Sequence, residues 1–302
     1  NSWMHTPQGF ELIDGQFHAL DWVAIIFNPS FPYRLTHMLI ASALTTSFVI
    51  IGISAFQLLR NRAWEPARRL LKIGVIVAAV LTPIQIFVGD QHGLNTLEHQ
   101  PAKIAAIEGI WHTERGAPLL MFAVPNSTER RNDYAIGIPK LASLILKHDP
   151  EAEIQGLSAF EGNHPPVAPL FFGFRLMVGM GMLMLTLSWL GVWQLVRRRE
   201  WPKWQLRAYA AMTFSGWIAT LAGWIVTEVG RQPYLIYGLL KTADAASKVP
   251  AASIGLTLVA YAVVYGLLII SYMVVLTQLA VKEAMGEKTP LIKPESFETH
   301  PA

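Results

Sequence analysis

The chain of 302 residues contains no cysteine. It can therefore form neither disulfides nor thiolate-held iron–sulfur clusters, and it lacks the Cys-x-x-Cys-His sequence that attaches c-type haem covalently. Any metal centre must use histidine, methionine or carboxylate side chains. Charge is also scarce, because only 15% of the residues are charged while 52% are hydrophobic. A water-soluble domain of this size carries more charge, so the composition favours a membrane protein.

Five runs without Asp, Glu, Lys or Arg lie along the chain, at Leu35–Leu59, Ile73–Gly89, Leu176–Val196, Ala208–Thr227 and Ala251–Val281. A membrane-spanning helix needs about 17–25 mostly apolar residues. The second run is the shortest, is interrupted by Pro83, and extends its reach by snorkelling of the basic residues before it. We predict an all-α membrane protein with five transmembrane helices, which form part of a larger helical bundle.

Basic residues crowd the two short links after the first and third runs. The positive-inside rule makes these links cytoplasmic and therefore orients every span. A nucleic-acid-binding patch is a poor alternative between two spans, so we expect contact with lipid headgroups and no nucleic-acid partner. The predicted organisation is an external or interfacial segment (1–30), two spans (31–89), an external loop (90–166), two spans (167–229), an external loop (230–250), a span (251–281) and a cytoplasmic tail (282–302).

Two parts of this organisation carry further expectations. Residues 10–30 are apolar but too few to span a membrane, so an interfacial helix is predicted there. In the long external loop, Ile104, Ile107 and Trp111 have helical spacing, which predicts an ordered helix over Lys103–Trp111. The chain begins Asn1-Ser-Trp-Met4, with neither an initiator methionine nor a signal-peptide pattern, so we expect that earlier residues are missing.

His37 and Met177 are the first candidates for chemistry. Both runs that carry them enter from the outer face, so the two side chains are expected at matching depth. A buried neutral imidazole is a good haem or metal ligand, and a His/Met pair gives low-spin haem suited to electron transfer. The alternatives stay open, since His37 could bond a neighbouring carbonyl and Met177 could serve packing alone.

Arg175 and Glu228 lie at the same outer edge. Arg175 is either an ordinary interface anchor or a partner for haem propionates. Glu228 ends the fourth run, one helical turn after Trp224, and a carboxylate at such a position is a functional candidate. Its alternative is a helix-end pair with Arg231. In the external loop, Lys103 and Glu108 are five residues apart and offer either a donor and a proton acceptor to a polar ligand or a merely solvated helix.

Taken together, these residues resemble subunit I of the cytochrome bd-type quinol oxidases. The resemblance covers essentially the whole chain and corresponds to the C-terminal two-thirds of that subunit. It is carried by Asn1–Met4 with Pro7, Thr36-His37, Gly89-Asp90, Lys103–Glu108 with Trp111, Val167–Met177 and Ala222–Pro233. The last two blocks are the most specific, and the second ends in the family's Gly-Arg-Gln-Pro.

The resemblance implies a role for each matched residue. His37 and Met177 would ligate a low-spin haem b, with Arg175 beside it. Lys103 and Glu108 would bind or deprotonate quinol. Glu228 would ligate or border a high-spin haem b, in an environment that includes Trp224, Arg231 and Gln232. The implied activity is quinol:oxygen oxidoreduction in the bacterial cytoplasmic membrane, which forms water and a proton gradient.

Two departures from the family pattern matter. The family's first helices are not in this sequence, so the chain needs them, a second oxidase subunit and a small accessory subunit as partners. The external loop is short, which resembles the cyanide-insensitive branch, and the third haem is then either haem d or a further haem b.

Two alternatives for the function stay open: a quinol-linked cytochrome b carrier without oxygen chemistry, and a transporter lined by Glu228, Arg231 and Asp90.

Overall fold

The computed structural model describes residues 1–60, 65–246 and 249–285 of the chain. Its regular elements, in chain order, are α1 (Ser2–His5), β1 (Phe10–Ile13), β2 (Gln16–Ala19), α2 (Trp22–Ile26), α3 (Phe31–Leu59), α4 (Glu65–His99), α5 (Pro101–Glu108), β3 (Glu114–Arg115), β4 (Leu119–Asn126), β5 (Arg131–Ile138), α6 (Leu141–Lys147), β6 (Glu153–Ile154), α7 (Val167–Val196), α8 (Lys203–Ala211), α9 (Ser215–Val229), β7 (Tyr234–Ile236), β8 (Leu240–Lys241) and α10 (Ala251–Met285). The strands of these ranges pair two by two, as β1–β2, β3–β6, β4–β5 and β7–β8.

Five helical stretches of the described residues are long and apolar enough to cross a membrane. They are α3, α4, α7, the stretch that joins α8 to α9, and Ala251–Leu279 of α10. This confirms the predicted all-α membrane fold with five spans. The fourth span is not one continuous α-helix, because a 3₁₀ turn at Met212–Phe214 separates α8 from α9.

The second span differs most from its prediction. α4 runs from Glu65 to His99 and passes through Pro83, so the predicted interruption at Pro83 is wrong and the helix extends beyond residue 89, the predicted end of the span. Proline removes one backbone donor, but α4 packs against α3 on one side and α7 on another, and these contacts hold the helix together. The polar residues after Gly89 therefore continue the helix for about three further turns.

The spanning helices are arranged so that α3 and α7 lie diagonally opposite one another. Each of them packs against both α4 and α9, while α8 lies along α3. The core between them is built from buried side chains that include Phe48, Ile51, Val75 and Tyr209. At one end of the bundle Arg68 lies 3.6 Å from Glu200, so the links after the first and third spans share a side, as the positive-inside argument requires.

The last span, α10, stands apart from this core. Its large apolar side chains are exposed from Ile254 to Leu279, although Tyr272 meets Trp217 of α9 edge-on at 5.8 Å between ring centroids. Exposed apolar side chains are favourable in lipid or against another membrane helix. The helix continues to Met285, past the predicted boundary at 281, and the rest of the predicted tail (286–302) lies outside the described residues.

The N-terminal segment is not the single interfacial helix that the sequence predicted over 10–30. Strands β1 and β2 form a hairpin instead, with Ile13 opposite Gln16. The turn residues Asp14 and Gly15 both have positive φ, 50° and 78°, which is the two-residue turn that Asp-Gly favours in hairpins. Only α2 is helical, and its exposed Trp22 and Val23 keep an apolar face that suits a membrane surface.

The long loop between α4 and α7, which the sequence predicts to be external, is ordered. Helix α5 ends at Glu108 rather than at Trp111, because Gly109 adopts a left-handed conformation with φ 71°. Asn132 of β5 then joins the hairpin β4–β5 to this helix end. Its Nδ2 donates to the Gly109 carbonyl at 2.8 Å, and its Oδ1 accepts from Trp111 Nε1 at 3.0 Å.

Candidate functional site

His37 lies two turns into α3 and turns its ring towards α4. A Cβ placed on Gly89 would lie 3.3 Å from His37 Cε1, so only glycine leaves the ring its present room. The ring of His92, one turn further along α4, is 5.9 Å away between centroids. His37 Nδ1 is buried and has no hydrogen-bond partner within the described part of the chain. The alternative in which His37 merely bonds a carbonyl through this nitrogen therefore receives no support.

Met177 lies on α7, diagonally across the bundle from α3, and its thioether rests on α9. A Cβ on Gly223 would lie only 2.7 Å from Met177 Sδ. Like the His37 ring, this sulfur therefore occupies space that a side chain on the neighbouring helix would fill, and we call such a space a glycine notch. Within the described ranges, no three His, Asp or Glu side chains converge to hold a bare metal ion. An imidazole and a thioether on opposite helices would instead suit a planar macrocycle whose own nitrogens fill the remaining iron positions.

Glu228 sits in the last turn of α9 within a hydrogen-bonded cluster. Its Oε2 accepts from Arg231 at 2.7 Å, and its Oε1 accepts from the side-chain amide of Asn1. Arg231 also donates to Asn1 Oδ1 at 3.1 Å and touches Met4 Sδ at 3.0 Å. The pair with Arg231 that the sequence offered as an alternative thus exists, but it is part of a larger arrangement that ties α9 to the N-terminal segment.

The other two residues of this block occupy different environments. Trp224, one turn before Glu228, is 49% exposed, so its indole presents a broad face outside the packed core. Gln232 accepts a hydrogen bond from Thr242 Oγ1 at 2.9 Å. Its side-chain oxygen therefore bonds within the loop after α9, and the structure does not bring it together with the Glu228 carboxylate.

Lys103 and Glu108 are both buried in the loop helix, with 4% and 6% exposure, so the solvated-helix alternative is wrong. They do not share a partner. Lys103 Nζ donates to the Thr227 carbonyl of α9 at 3.2 Å, whereas Glu108 Oε2 lies 3.5 Å from Arg175 of α7. Burial raises the pKa of the Glu108 carboxyl, and the Arg175 charge opposes that rise. Burial also lowers the pKa of the Lys103 ammonium.

Arg175 joins the long loop between α4 and α7 to α7 itself. Its Nε donates to the Leu120 carbonyl at 2.8 Å, and its NH1 donates to the carbonyls of Ile107 at 2.8 Å and Phe171 at 3.1 Å. The guanidinium also stacks 3.4 Å above the Phe171 ring. Most of its donors are therefore committed to backbone, so Arg175 acts as an internal clamp in this structure rather than as a headgroup anchor.

A group of buried and partly buried basic side chains lies beside these residues. The cluster comprises His5, Arg34, His92, Lys103 and Arg231, and burial followed by the charges of Arg34, Lys103 and Arg231 lowers the pKa of His5. Three of its nitrogens, on His5, Arg34 and Arg231, are buried without a partner in the described residues. Glu228 is the carboxylate whose charge acts on Arg34 and Lys103. Buried cations without matching anions are costly, so this cluster fits an acidic ligand.

Sequence reasoning missed most of the basic cluster. Arg34 carried a usable signal, because it lies one helical turn before His37 at the mouth of an apolar run. His92 was hidden because residue 90 was predicted to begin the loop. His5 precedes a hairpin far along the chain from its partner, and only the fold brings its ring to within 3.1 Å of the Gln100 amide.

Comparison with known proteins gives a consistent result. The family described as cytochrome bd terminal oxidase subunit I matches residues 1–284. A cytochrome bd ubiquinol oxidase subunit 1 from Bacillus subtilis is 30% identical over 282 residues, which cover 89% of this chain and 60% of that protein. The cytochrome bd-II ubiquinol oxidase subunit 1 of Escherichia coli is 27% identical, over 90% of this chain and 66% of that one.

A solved structure agrees with these sequence matches. The bd oxidase from Geobacillus thermodenitrificans superimposes with a TM-score of 0.83 at 31% identity, and the match covers 92% of this chain and 64% of that chain. The chain therefore spans about 60% of the length of the Bacillus relative that it matches.

Proposed function

This chain belongs to the cytochrome bd terminal oxidase subunit I family, and from that premise we propose that it is the haem-carrying part of a membrane quinol oxidase. The overall reaction takes electrons from quinol at the outer face and delivers them to oxygen, which is reduced to water. Quinol releases its protons outside while the protons for water come from inside, so the reaction builds a proton gradient.

We assign His37 and Met177 as the axial ligands of a low-spin haem b. The observation that carries the proposal is their placement on diagonal helices, each in a notch left by a glycine of a neighbouring helix. The notches allow an imidazole and a thioether to sit close to the partner helices. Methionine ligation favours the reduced iron, which suits an acceptor of electrons from quinol.

We assign the Glu228 cluster to a second, high-spin haem b. The carboxylate of Glu228 is held by Arg231 and Asn1, and Trp224 presents its indole one turn away. The neighbouring basic cluster supplies positive charge for the carboxylate side chains that haem carries. When bound, haem supplies one-electron chemistry and, at an iron with an open position, a site for a small ligand.

Glu108 is the proposed proton acceptor for quinol. Its buried carboxyl has a raised pKa, which brings proton acceptance closer to neutral pH, and Arg175 holds it against α7 two residues before Met177. Quinol would thus lose its proton close to the helix that carries the proposed low-spin haem ligand. The resemblance implies a quinol-binding role for Lys103 as well, and its Nζ lies on the Glu228 side of α5, where it donates to the Thr227 carbonyl.

The partners follow from the same premise. We propose that a second oxidase subunit, a small accessory subunit and the first helices of subunit I complete the complex, with a third haem, of type d or b, at the site of oxygen reduction. The exposed apolar faces of α10 and the other spans are available to these partners and to lipid. The external loop lies on the outer side of the bacterial cytoplasmic membrane in this proposal.

A visible difference spectrum of the purified complete complex, reduced minus oxidised and with or without carbon monoxide, tests the proposal. We expect a low-spin haem b signal together with a haem that binds carbon monoxide. A far-red band would identify the third haem as haem d. A low-spin signal alone would favour the electron carrier without oxygen chemistry, and a preparation without haem would overturn both assignments.

A further inference from the structure

The chain leaves α5 through three consecutive carbonyls, at residues 109, 110 and 111, and each of them has its own donor. The backbone N–H groups of Leu157 and Ser158 serve the second and the third, at 2.9 and 3.0 Å. The first, that of Gly109, accepts from Asn132 Nδ2 at 2.8 Å. A side chain on the hairpin β4–β5 thus holds the peptide that directly follows Glu108, and a substitution can remove it.

The same side chain also holds the indole of Trp111. Its Oδ1 accepts from Trp111 Nε1 at 3.0 Å, and Trp111 is 7% exposed. An amide side chain offers both a donor and an acceptor, so Asn132 can join two points of the chain at once. Gly109 has little room to shift, because a Cβ there would lie 3.2 Å from Asn132 Oδ1 and 3.3 Å from the Phe171 ring. The turn after Glu108 is therefore confined between β5 and α7.

The hairpin that presents Asn132 is itself anchored to α7. Arg175 Nε donates to the Leu120 carbonyl of β4 at 2.8 Å. Leu120 also packs with Ala123 and with Phe171 of α7 in a small buried cluster. The end of α5 is consequently attached to α7 by two routes, one through Arg175 directly and one through the hairpin and Asn132.

The Glu108 carboxyl lies between these two attachments. Its Oε2 is 3.5 Å from Arg175, whose NH1 donates to the Ile107 carbonyl one residue earlier. A general base must lie within hydrogen-bond reach of the proton that it accepts, so its placement decides its efficiency. From these contacts we infer that Asn132 is a positioning residue for quinol oxidation, which keeps Glu108 against Arg175 by fixing the end of α5 to the hairpin. The inference rests on the proposed function, because it takes Glu108 as the proton acceptor.

A double-mutant cycle in the complete complex tests this inference. It combines Asn132→Ala with Glu108→Gln and measures the quinol kcat and KM of both single variants and of the double variant. Rates are expressed per low-spin haem, so that incomplete assembly does not count as slow turnover. Asn126→Ala is the matched control, because this asparagine accepts from the N–H groups of Thr128 and Glu129 within the turn of the same hairpin.

For Asn132→Ala we expect kcat to fall by about tenfold, because a displaced proton acceptor transfers protons less efficiently, while the quinol KM stays within about twofold. In the Glu108→Gln background the same replacement should change kcat by less than about twofold, because the carboxyl that Asn132 positions is no longer there. Asn126→Ala should leave both constants within about twofold. A merely structural role of Asn132 would slow both backgrounds equally.

Equal slowing by Asn132→Ala in the two backgrounds would overturn the inference, and so would an unchanged kcat in Asn132→Ala alone. If Asn132→Ala does not assemble, Asn132→Ser enters the same cycle. Serine removes the amide that reaches Gly109 but leaves a hydroxyl near the Trp111 indole, and equal slowing would again overturn the inference. If Glu108→Gln oxidises quinol as fast as the unaltered complex, the proposed role of Glu108 is wrong and the inference falls with it, so the two failures are distinguishable.

Discussion

The close contact between Gly223 and Met177 predicts how a substitution at Gly223 will change the proposed low-spin haem. Gly223→Ala would place a Cβ 2.7 Å from Met177 Sδ. Non-bonded heavy atoms rest at about 3.5–4.0 Å, so the sulfur must move by roughly 1 Å. Methionine can make this movement because its side chain has three rotatable bonds. Because the sulfur leaves its present position, its bond to the proposed haem iron should be lost or weakened.

The Gly223→Ala replacement also raises helix propensity, an effect that would stabilise α9. A matched glycine-to-alanine replacement elsewhere separates this effect from the contact with Met177. Alanine is more favourable than glycine in a helix interior by about 1 kcal/mol, so Gly223→Ala should not weaken α9 itself. Gly179→Ala makes the same replacement on α7, where, apart from the adjacent residues and the helix's own backbone, no described atom lies within 4 Å of the new Cβ. A loss seen in Gly223→Ala but not in Gly179→Ala is therefore due to the contact with Met177.

The assay is the reduced-minus-oxidised visible spectrum of the purified complex. We expect Gly223→Ala to convert much of the low-spin signal to high-spin, with Gly179→Ala unchanged. Gly89→Ala should have an intermediate effect, because its Cβ would lie 3.3 Å from His37 Cε1 and the ring must give by only a few tenths of an ångström. A full low-spin signal in Gly223→Ala would refute the assignment of Met177 as a ligand held by this notch.

Three further predictions concern the loop and the ligand. Because burial raises the pKa of Glu108, its carboxyl is protonated below that value and cannot accept a proton, so quinol oxidation should rise as pH increases through it. Glu108→Gln should be slow and lack this rise, and an unchanged pH profile of initial rates would exclude the role. Met177→Leu should turn the low-spin haem high-spin in the same visible spectrum, and an unchanged band would remove Met177 from the ligand set. Asn132→Ala should leave the buried Trp111 N–H unpaired and cost about 1–3 kcal/mol locally. Faster hydrogen exchange in residues 101–126 would reveal this loosening, while Asn132→Asp, which keeps the acceptor, should be milder.

Local signals were sufficient for several parts of the fold. The length of each apolar run predicted five spans because a bilayer demands that length whatever the packing. Turn chemistry was equally local, since Asp14-Gly15 closes a hairpin through its own backbone preference. The apolar composition of residues 10–30 predicts a helix, but the Asp-Gly turn signal within them decides the structure, which is a hairpin.

Other errors arose where tertiary packing overrides a local rule. Pro83 weakens a helix in isolation, yet α4 continues through it with α3 and α7 on its sides. The polar residues 90–99 read as a loop because hydropathy ends at Gly89. They remain helical in the structure, and α5 begins at Pro101, directly after the extended helix.

The sequence by itself determined the membrane class, the number of spans and several of the residues that could bear chemistry. These depend on composition, length and residue type, which need no knowledge of contacts. Only the tertiary structure decided which of those residues act together. Lys103 and Glu108 are neighbours in the chain, but one reaches Thr227 and the other Arg175, because a helix turns side chains five residues apart towards different partners.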